Sequence, residues 1–200
     1  EKRLFVPIEA IPLRMIHAFV SAEDKAFYNH FGIDLRALAR AVVTNIVNYG
    51  KGRRPVGAST ITQQVTKNFL LTNEVSIDRK IKEAILSLRV ERAFSKDQIL
   101  ALYLNEIYLG RGSYGVAAAA LNYFDKSLGQ LELPEIAYLA ALPKAPNNYH
   151  PVRNLRAATI RRNWVLDEMQ QNGYISQNET DAAKAVLLRM IGQSGFDAAE

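Results

Sequence analysis

The chain has 200 residues, 48% of them hydrophobic, with 25 Lys and Arg against 20 Asp and Glu, and no Cys. This is enough apolar material for one globular domain or two small ones, and too much for a disordered chain. Without Cys there is no thiol nucleophile, Cys-bound zinc or disulfide framework, while the surplus of five positive charges suits an anionic partner such as phosphate, nucleic acid or lipid headgroups.

Residues 1–12, with Phe5, Val6 and two prolines, read as an extended lead-in. Pro12 suits the first helical position, and a helix is predicted from there through about Phe27. Leu13, Ile16, Val20, Glu23 and Phe27 are spaced three and four apart, which sets Glu23 on an apolar stripe. A carboxylate facing apolar surroundings has its charged form disfavoured, which suits it to proton transfer; the alternative is a boundary Glu paired with a nearby Arg. His17 lies beside the stripe as a packing residue, and His30 stands where it can brace the helix end. A second helix is predicted over 34–48. It ends at Gly50-Lys51-Gly52-Arg53-Arg54-Pro55, the best candidate for a mobile loop.

The segment 57–68 is rich in hydroxyl and amide side chains for a helix start. Thr60 and Gln63 can form a capping box, Ile61, Val65 and Phe69 an apolar stripe, and Thr60, Gln64 and Lys67 a different face. Such a start makes an oxyanion or phosphate site, or simply a well-capped helix. Ser76 caps a helix predicted over 77–94, with Ile77, Ile81, Ile85 and Leu88 as its main apolar stripe. Glu83 aligns with Leu86 and Val90 on a second stripe, one turn after Arg79 and Lys80, which predicts partial burial and a helical salt bridge. Further helices are predicted over 96–109, with a Ser95–Gln98 capping box and Gly110 as the stop, over 115–121, beyond Pro134, and over 155–171, closing at Asn172-Gly173. The tail over 191–200 reads as a linker.

The picture is mainly α with few strands. The Ala-rich runs 116–121 and 137–142 read as buried helix, and no apolar run approaches the roughly 18 residues of a membrane span. The chain does not begin with Met and carries no signal-peptide pattern, as expected of a piece of something longer. P-loop, dinucleotide-binding, G-x-S-x-G and H-E-x-x-H spacings are absent.

Five ordered segments resemble one family. Residues 23–32 (EDKAFYNHFG) are similar to the E-D-x-x-F-x-x-H-x-G motif of the peptidoglycan glycosyltransferases, and 57–64 (GASTITQQ) to their G-x-S-T-I-T-Q-Q motif. Residues 79–83 (RKIKE) resemble R-K-x-x-E, 99–110 (ILALYLNEIYLG) the helix containing Y-L-N, and 115–120 with 135–140 a further Ala-rich pair. The resemblance is strongest to the glycosyltransferase domain of bifunctional class A penicillin-binding proteins, whose transpeptidase motifs are absent here; a monofunctional glycosyltransferase fits the same motifs. It implies a lysozyme-like head lobe and a smaller membrane-associated jaw lobe, with the domain over 1–190 and the jaw and its loop at about 34–56. Leu35, Leu38, Val42, Val43, Ile46 and Val47, beside Arg36 and Arg40, give that helix a surface for a bilayer or for internal packing.

The resemblance implies polymerisation of lipid II into β-1,4 glycan strands with inversion and release of undecaprenyl pyrophosphate. It assigns Glu23 as general base and Glu83 as the second acidic residue, orienting groups near the pyrophosphate or coordinating a divalent cation. Lys67, Arg79 and Lys80 would stabilise the leaving group, with Asp24, Arg40, Ser59, Thr60, Gln63 and Gln64 arranging substrates and Asn105 supporting them. No organic cofactor is implied. The implied partners are lipid II, the growing glycan, the cytoplasmic membrane, a transpeptidase domain and other cell-wall synthesis proteins, at the periplasmic face of a bacterial cytoplasmic membrane, with the anchor outside this sequence; no nucleic acid is implied. Many relatives carry a basic residue eight positions before the motif Glu, where this chain has Val75; either Arg53, Arg54 or Arg79 supplies that charge or one phosphate contact is missing. The rival readings are a lysozyme-like lytic enzyme and a non-enzymatic basic helical module that binds membrane or nucleic acid.

Overall fold

The computed structural model describes residues 2–52, 56–70, 76–150 and 153–190. Arg53, Arg54, Pro55, Val75 and the 191–200 tail lie outside the described residues. The fold is mainly α: α1 (Leu13–Glu23), α2 (Leu35–Val47), α3 (Ile61–Leu70), α4 (Ile77–Ala93), α5 (Lys96–Glu106), α6 (Val116–Phe124), α7 (Leu133–Ala141), α8 (Leu155–Gln171) and α9 (Gln177–Ala185). The chain divides into two compact units, one from residues 1–25 and 104–200, the other from 26–103, with the division falling inside α5.

In the first unit α1, α7 and α8 pack on one another. The α7 sequence LPEIAYLAA is buried on every side from Ile136 to Ala141, and its alanines let neighbouring helices approach closely. Its one acidic residue, Glu135, sits in the first turn, where its side chain accepts from the Glu132 backbone at 2.8 Å and the helix dipole favours negative charge. Met15, Phe19 and Val20 of α1 and Val165, Leu166 and Met169 of α8 fill the space around it. Each such side chain contributes about 1.5–3 kcal/mol of burial. The short strands β1 (Lys2–Arg3) and β2 (Ser113–Tyr114) pair in parallel. Gly115 follows with φ +80°, and a Cβ there would meet the Asn105 carbonyl oxygen at 2.4 Å, so only glycine fits.

In the second unit α3 packs on α4. Ile61 and Val65 are buried, and the Thr66 and Ser87 hydroxyls bond across the two helices at 3.0 Å. Gly32, at φ +86°, lies where a Cβ would stand 2.8 Å from the Ser87 carbonyl oxygen. The motif glycine is thus a packing residue. On α2 only Ala41 is buried.

Several expectations need correction. α1 ends at Glu23 rather than Phe27, because Asp24 leaves helical geometry and a single 3-10 turn at Phe27–Asn29 brings Phe27 back into the interior. Leu13 is 63% exposed, so the stripe begins at Ile16. α5 stops at Glu106, three residues early, since the Ile107 carbonyl accepts from Gly115 and the Leu109 amide donates to Ser113. α4 turns its Ile77, Ile81, Ile85 and Leu88 stripe outward and buries Glu83 and Ser87 instead. Its contact with α3 is made through hydroxyls, which periodicity does not reveal. Phe69 is likewise exposed on α3, while α6 runs on to Phe124 with Leu121 exposed.

Candidate active site

Two sets of expected residues are described, one in each unit. In the first, Glu23 is the last residue of α1 and half-buried, and Asp24 behind it is buried, its amide closing the helix on Val20 at 2.9 Å. Lys25 forms an ion pair with Glu168 of α8. One turn and two turns away on the same face of α8 lie Trp164 and Arg161, at i, i+3 and i+7 spacing from Arg161 to Glu168. The Arg161 guanidinium stacks over the Trp164 ring at 3.6 Å, and its Nε is buried without a hydrogen bond. Burial works against the Arg161 charge and lowers its pKa, while Tyr149, Glu23 and Glu168 oppose that shift. Nothing at the motif level singles out Arg161; the Arg-x-x-Trp-x-x-x-Glu spacing on one helix face was the available signal.

Asn105 belongs to the same unit. Its Oδ1 accepts from the Val6 amide at 2.7 Å and its Nδ2 donates to the Val6 carbonyl at 2.8 Å. That pair mimics a strand rung and ties the start of the chain to the end of α5.

In the second unit Thr60 and Gln63 form the expected capping box, with bonds of 3.0 and 3.1 Å. The Thr60 hydroxyl also donates to the Gly32 carbonyl at 2.6 Å, so it is buried at the helix start rather than sharing an open face with Gln64 and Lys67. Gln64 is half-buried; Lys67 and Arg40 are exposed. Ser76 caps α4 through the Arg79 amide at 3.1 Å. Glu83 is only 2% exposed, and its two carboxylate oxygens are met by Arg79 at 3.0 Å and by Lys80. The Lys80 ammonium also donates to the Ser59 hydroxyl at 2.9 Å. Ser59, Arg79, Lys80 and Glu83 therefore form one cluster with a single net positive charge.

Both oxygens of Glu83 are taken by cations, and no group of three metal-ligating side chains gathers among the described residues. A divalent ion would have to displace Arg79 and Lys80, so this donor set does not fit one. One network escaped sequence reasoning. Glu91 accepts from the Thr62 hydroxyl at 2.6 Å and from Lys96 at 2.7 Å, and Lys96 donates on to the His30 carbonyl and lies over the Phe27 ring. Glu83, Ser87 and Glu91, four residues apart, mark the polar buried face of α4 that a search for apolar stripes passes over.

A family model described as Transglycosylase matches residues 1–170. The chain belongs to the transglycosylase family. All the motif segments lie inside the matched stretch. Penicillin-binding protein 1A of Rickettsia felis is 57% identical to this transglycosylase chain over 187 residues, covering 94% of the chain and 23% of the relative. Penicillin-binding protein 1A of Aquifex aeolicus is 51% identical over 183 residues, covering 92% and 25%. The crystal structure of penicillin-binding protein 1A from Haemophilus influenzae superposes with a TM-score of 0.56 at 29% identity, over 95% of this chain and 18% of that one. The likeness to class A penicillin-binding proteins expected from the motifs is borne out, and the transglycosylase chain spans about a quarter of the length of the curated relatives it matches. Among the described residues, no helix is long and apolar enough to cross a membrane.

Proposed function

We propose that this transglycosylase chain polymerises lipid II into β-1,4-linked glycan strands and releases undecaprenyl pyrophosphate. Glu23 takes the proton from the 4-hydroxyl of the acceptor GlcNAc as that oxygen attacks C1 of the donor MurNAc. The C1–O bond to the α-linked pyrophosphate breaks on the opposite face, so the new linkage is β. The leaving group is already anionic and needs positive charge rather than a proton. Lys67 and the Arg79–Lys80 pair supply it, with Arg40, Asp24, Ser59, Thr60, Gln63 and Gln64 arranging the substrates. Glu83 sets the direction of Arg79 and Lys80.

The observation that carries this reading is the cationic cluster built around a buried carboxylate, with Lys80 reaching Ser59. A lytic enzyme protonates a sugar leaving group and has no use for such a cluster. A basic binding module needs no buried Glu at its centre. We assign α2 and the loop after it, at about 34–56, to the jaw, since Leu35, Val43, Ile46 and Val47 of α2 are 60–71% exposed beside Arg36 and Arg40, a composition suited to a bilayer interface. The reaction then belongs at the periplasmic face of the cytoplasmic membrane, with a transpeptidase domain and other cell-wall synthesis proteins as partners of the longer protein. Incubating the chain with labelled lipid II in detergent tests this: polymer is expected, and its absence across lipid conditions overturns the proposal.

A further inference from the structure

α4 packs on α3 through its polar face, while Ile81, Ile85 and Leu88 stay 40–53% exposed on its other side. Apolar contact is non-directional; hydrogen bonds between the two helices fix how they are set against each other. Three residues four apart make the polar face: Glu83 in the cationic cluster, Ser87 with its hydroxyl 3.0 Å from that of Thr66, and Glu91. The first serves the cluster and the second joins the helices. The third has a side chain only 4% exposed and no part in the chemistry described so far.

Glu91 grips the start of α3 by two routes, both inside the unit over 26–103. Directly, its Oε1 accepts from the Thr62 hydroxyl at 2.6 Å, in the first turn of α3. Indirectly, the same oxygen accepts from the Lys96 ammonium at 2.7 Å, and Lys96 donates on to the His30 carbonyl at 2.7 Å while lying 4.4 Å from the centre of the Phe27 ring. The chain from His30 reaches Gly32, which is pressed on α4 so closely that a Cβ would stand 3.2 Å from Glu91 Cγ. The Gly32 carbonyl then accepts from the Thr60 hydroxyl at 2.6 Å. Thr60 caps α3, and Ser59 just before it accepts from the Lys80 ammonium at 2.9 Å. Both routes therefore converge on the residues that bring Ser59 to Lys80.

We propose that Glu91 is a positioning residue for the Ser59–Lys80 contact: through Thr62, and through Lys96 and the turn at His30–Gly32, it holds the start of α3 where Ser59 meets Lys80. This inference rests on the reading of the Arg79–Lys80 pair as the charge that receives the pyrophosphate. Glu91 acts through Ser59 and Lys80 and does not touch the reacting atoms.

The test follows the Lys80 Cε signal by NMR in the chain labelled at Lys side chains, with Lys80→Arg identifying it. Glu91→Leu should shift that signal, and Glu91→Gln, which keeps an oxygen acceptor for Thr62 and Lys96, should shift it less. In the lipid II assay Glu91→Leu should lower kcat per folded molecule about tenfold with KM within about twofold of wild type, and Glu91→Gln should recover most of the loss. In a Ser59→Ala background, where the contact is already gone, Glu91→Leu should cost less than about twofold. Thr62→Val removes the direct route alone, should act in the same direction at smaller size, and serves if Glu91→Leu does not fold. A Lys80 signal unmoved in the folded variants, or a loss of turnover undiminished by Ser59→Ala, would overturn the proposal. The NMR readout needs no turnover, so a shifted Lys80 signal in a chain whose wild type forms no polymer would reject the glycosyltransferase reading and leave the positioning role of Glu91 standing.

Discussion

Glu83 sits where almost no surface is exposed, and two cations converge on its carboxylate. Arg79 is 15% exposed at its side chain and Lys80 48%, so the first is the partner whose attraction water screens least. Removing one member of such a pair leaves a buried charge uncompensated. Arg79→Gln should therefore cost about 3 kcal/mol of stability, at the low end of the range for broken buried pairs because Lys80 remains. In a urea-denaturation cycle, adding Glu83→Gln to Arg79→Gln should cost less than the sum of the single changes. Single variants within 0.5 kcal/mol of wild type would contradict the structural role given to the pair. The i, i+3 and i+4 spacing of Arg79, Lys80 and Glu83 made their contact readable in advance. The depth of Glu83 was readable only in part, since an alignment with Leu86 and Val90 indicates a face and not what covers it.

Element ends were legible where side chains chemically mark them. α8 runs over Leu155–Gln171 and closes at Asn172, as expected, and the Thr60 and Ser95 capping boxes close as drawn. They were misread where backbone partners from elsewhere compete, as at the end of α5. The packing of α1 against the segment after α8 carries a pH dependence. His17 stacks on Tyr174 with ring centroids 3.9 Å apart at 12°, and burial holds its pKa below the ordinary value. The unfolded chain takes up a proton at His17 near pH 6.5, which the folded chain resists, so this contribution to stability is present above that pH and lost below it. Between pH 7 and 5.5 the wild type should lose more stability than His17→Phe, which keeps an aromatic ring against Tyr174. Parallel denaturation series at the two pH values measure it. Equal losses, or a larger loss in His17→Phe, would show that its partial burial does not disfavour the charged form of His17.

For the molecule as a whole, the modest surplus of basic residues admitted many anionic partners, and the arrangement of charge narrows them. Arg36 and Arg40 share α2 with a run of outward-facing Leu, Val and Ile, which suits a surface that is both anionic and apolar. The sequence left α2 divided between bilayer contact and internal packing; the structure turns those side chains outward because Ala41 alone is buried. The chain should sediment with vesicles containing anionic phospholipid. Leu35→Asp combined with Ile46→Asp should weaken that binding at least tenfold with little change in thermal midpoint, as each change moves a charge into apolar surroundings only on the membrane. Undiminished binding would remove α2 as the membrane-facing element. The mainly α class, the motif segments and the family were all legible in one chain, since local patterns and short motifs carry them. The network that joins Thr62, Glu91 and Lys96 across distant segments was not. Whether this transglycosylase chain joins sugars with Glu23 as the base is read most directly from turnover of labelled lipid II by wild type and by folded Glu23→Gln. Wild type should form polymer, and the variant should be slower by at least about 100-fold; polymerisation by Glu23→Gln at the wild-type rate would rule Glu23 out as the base.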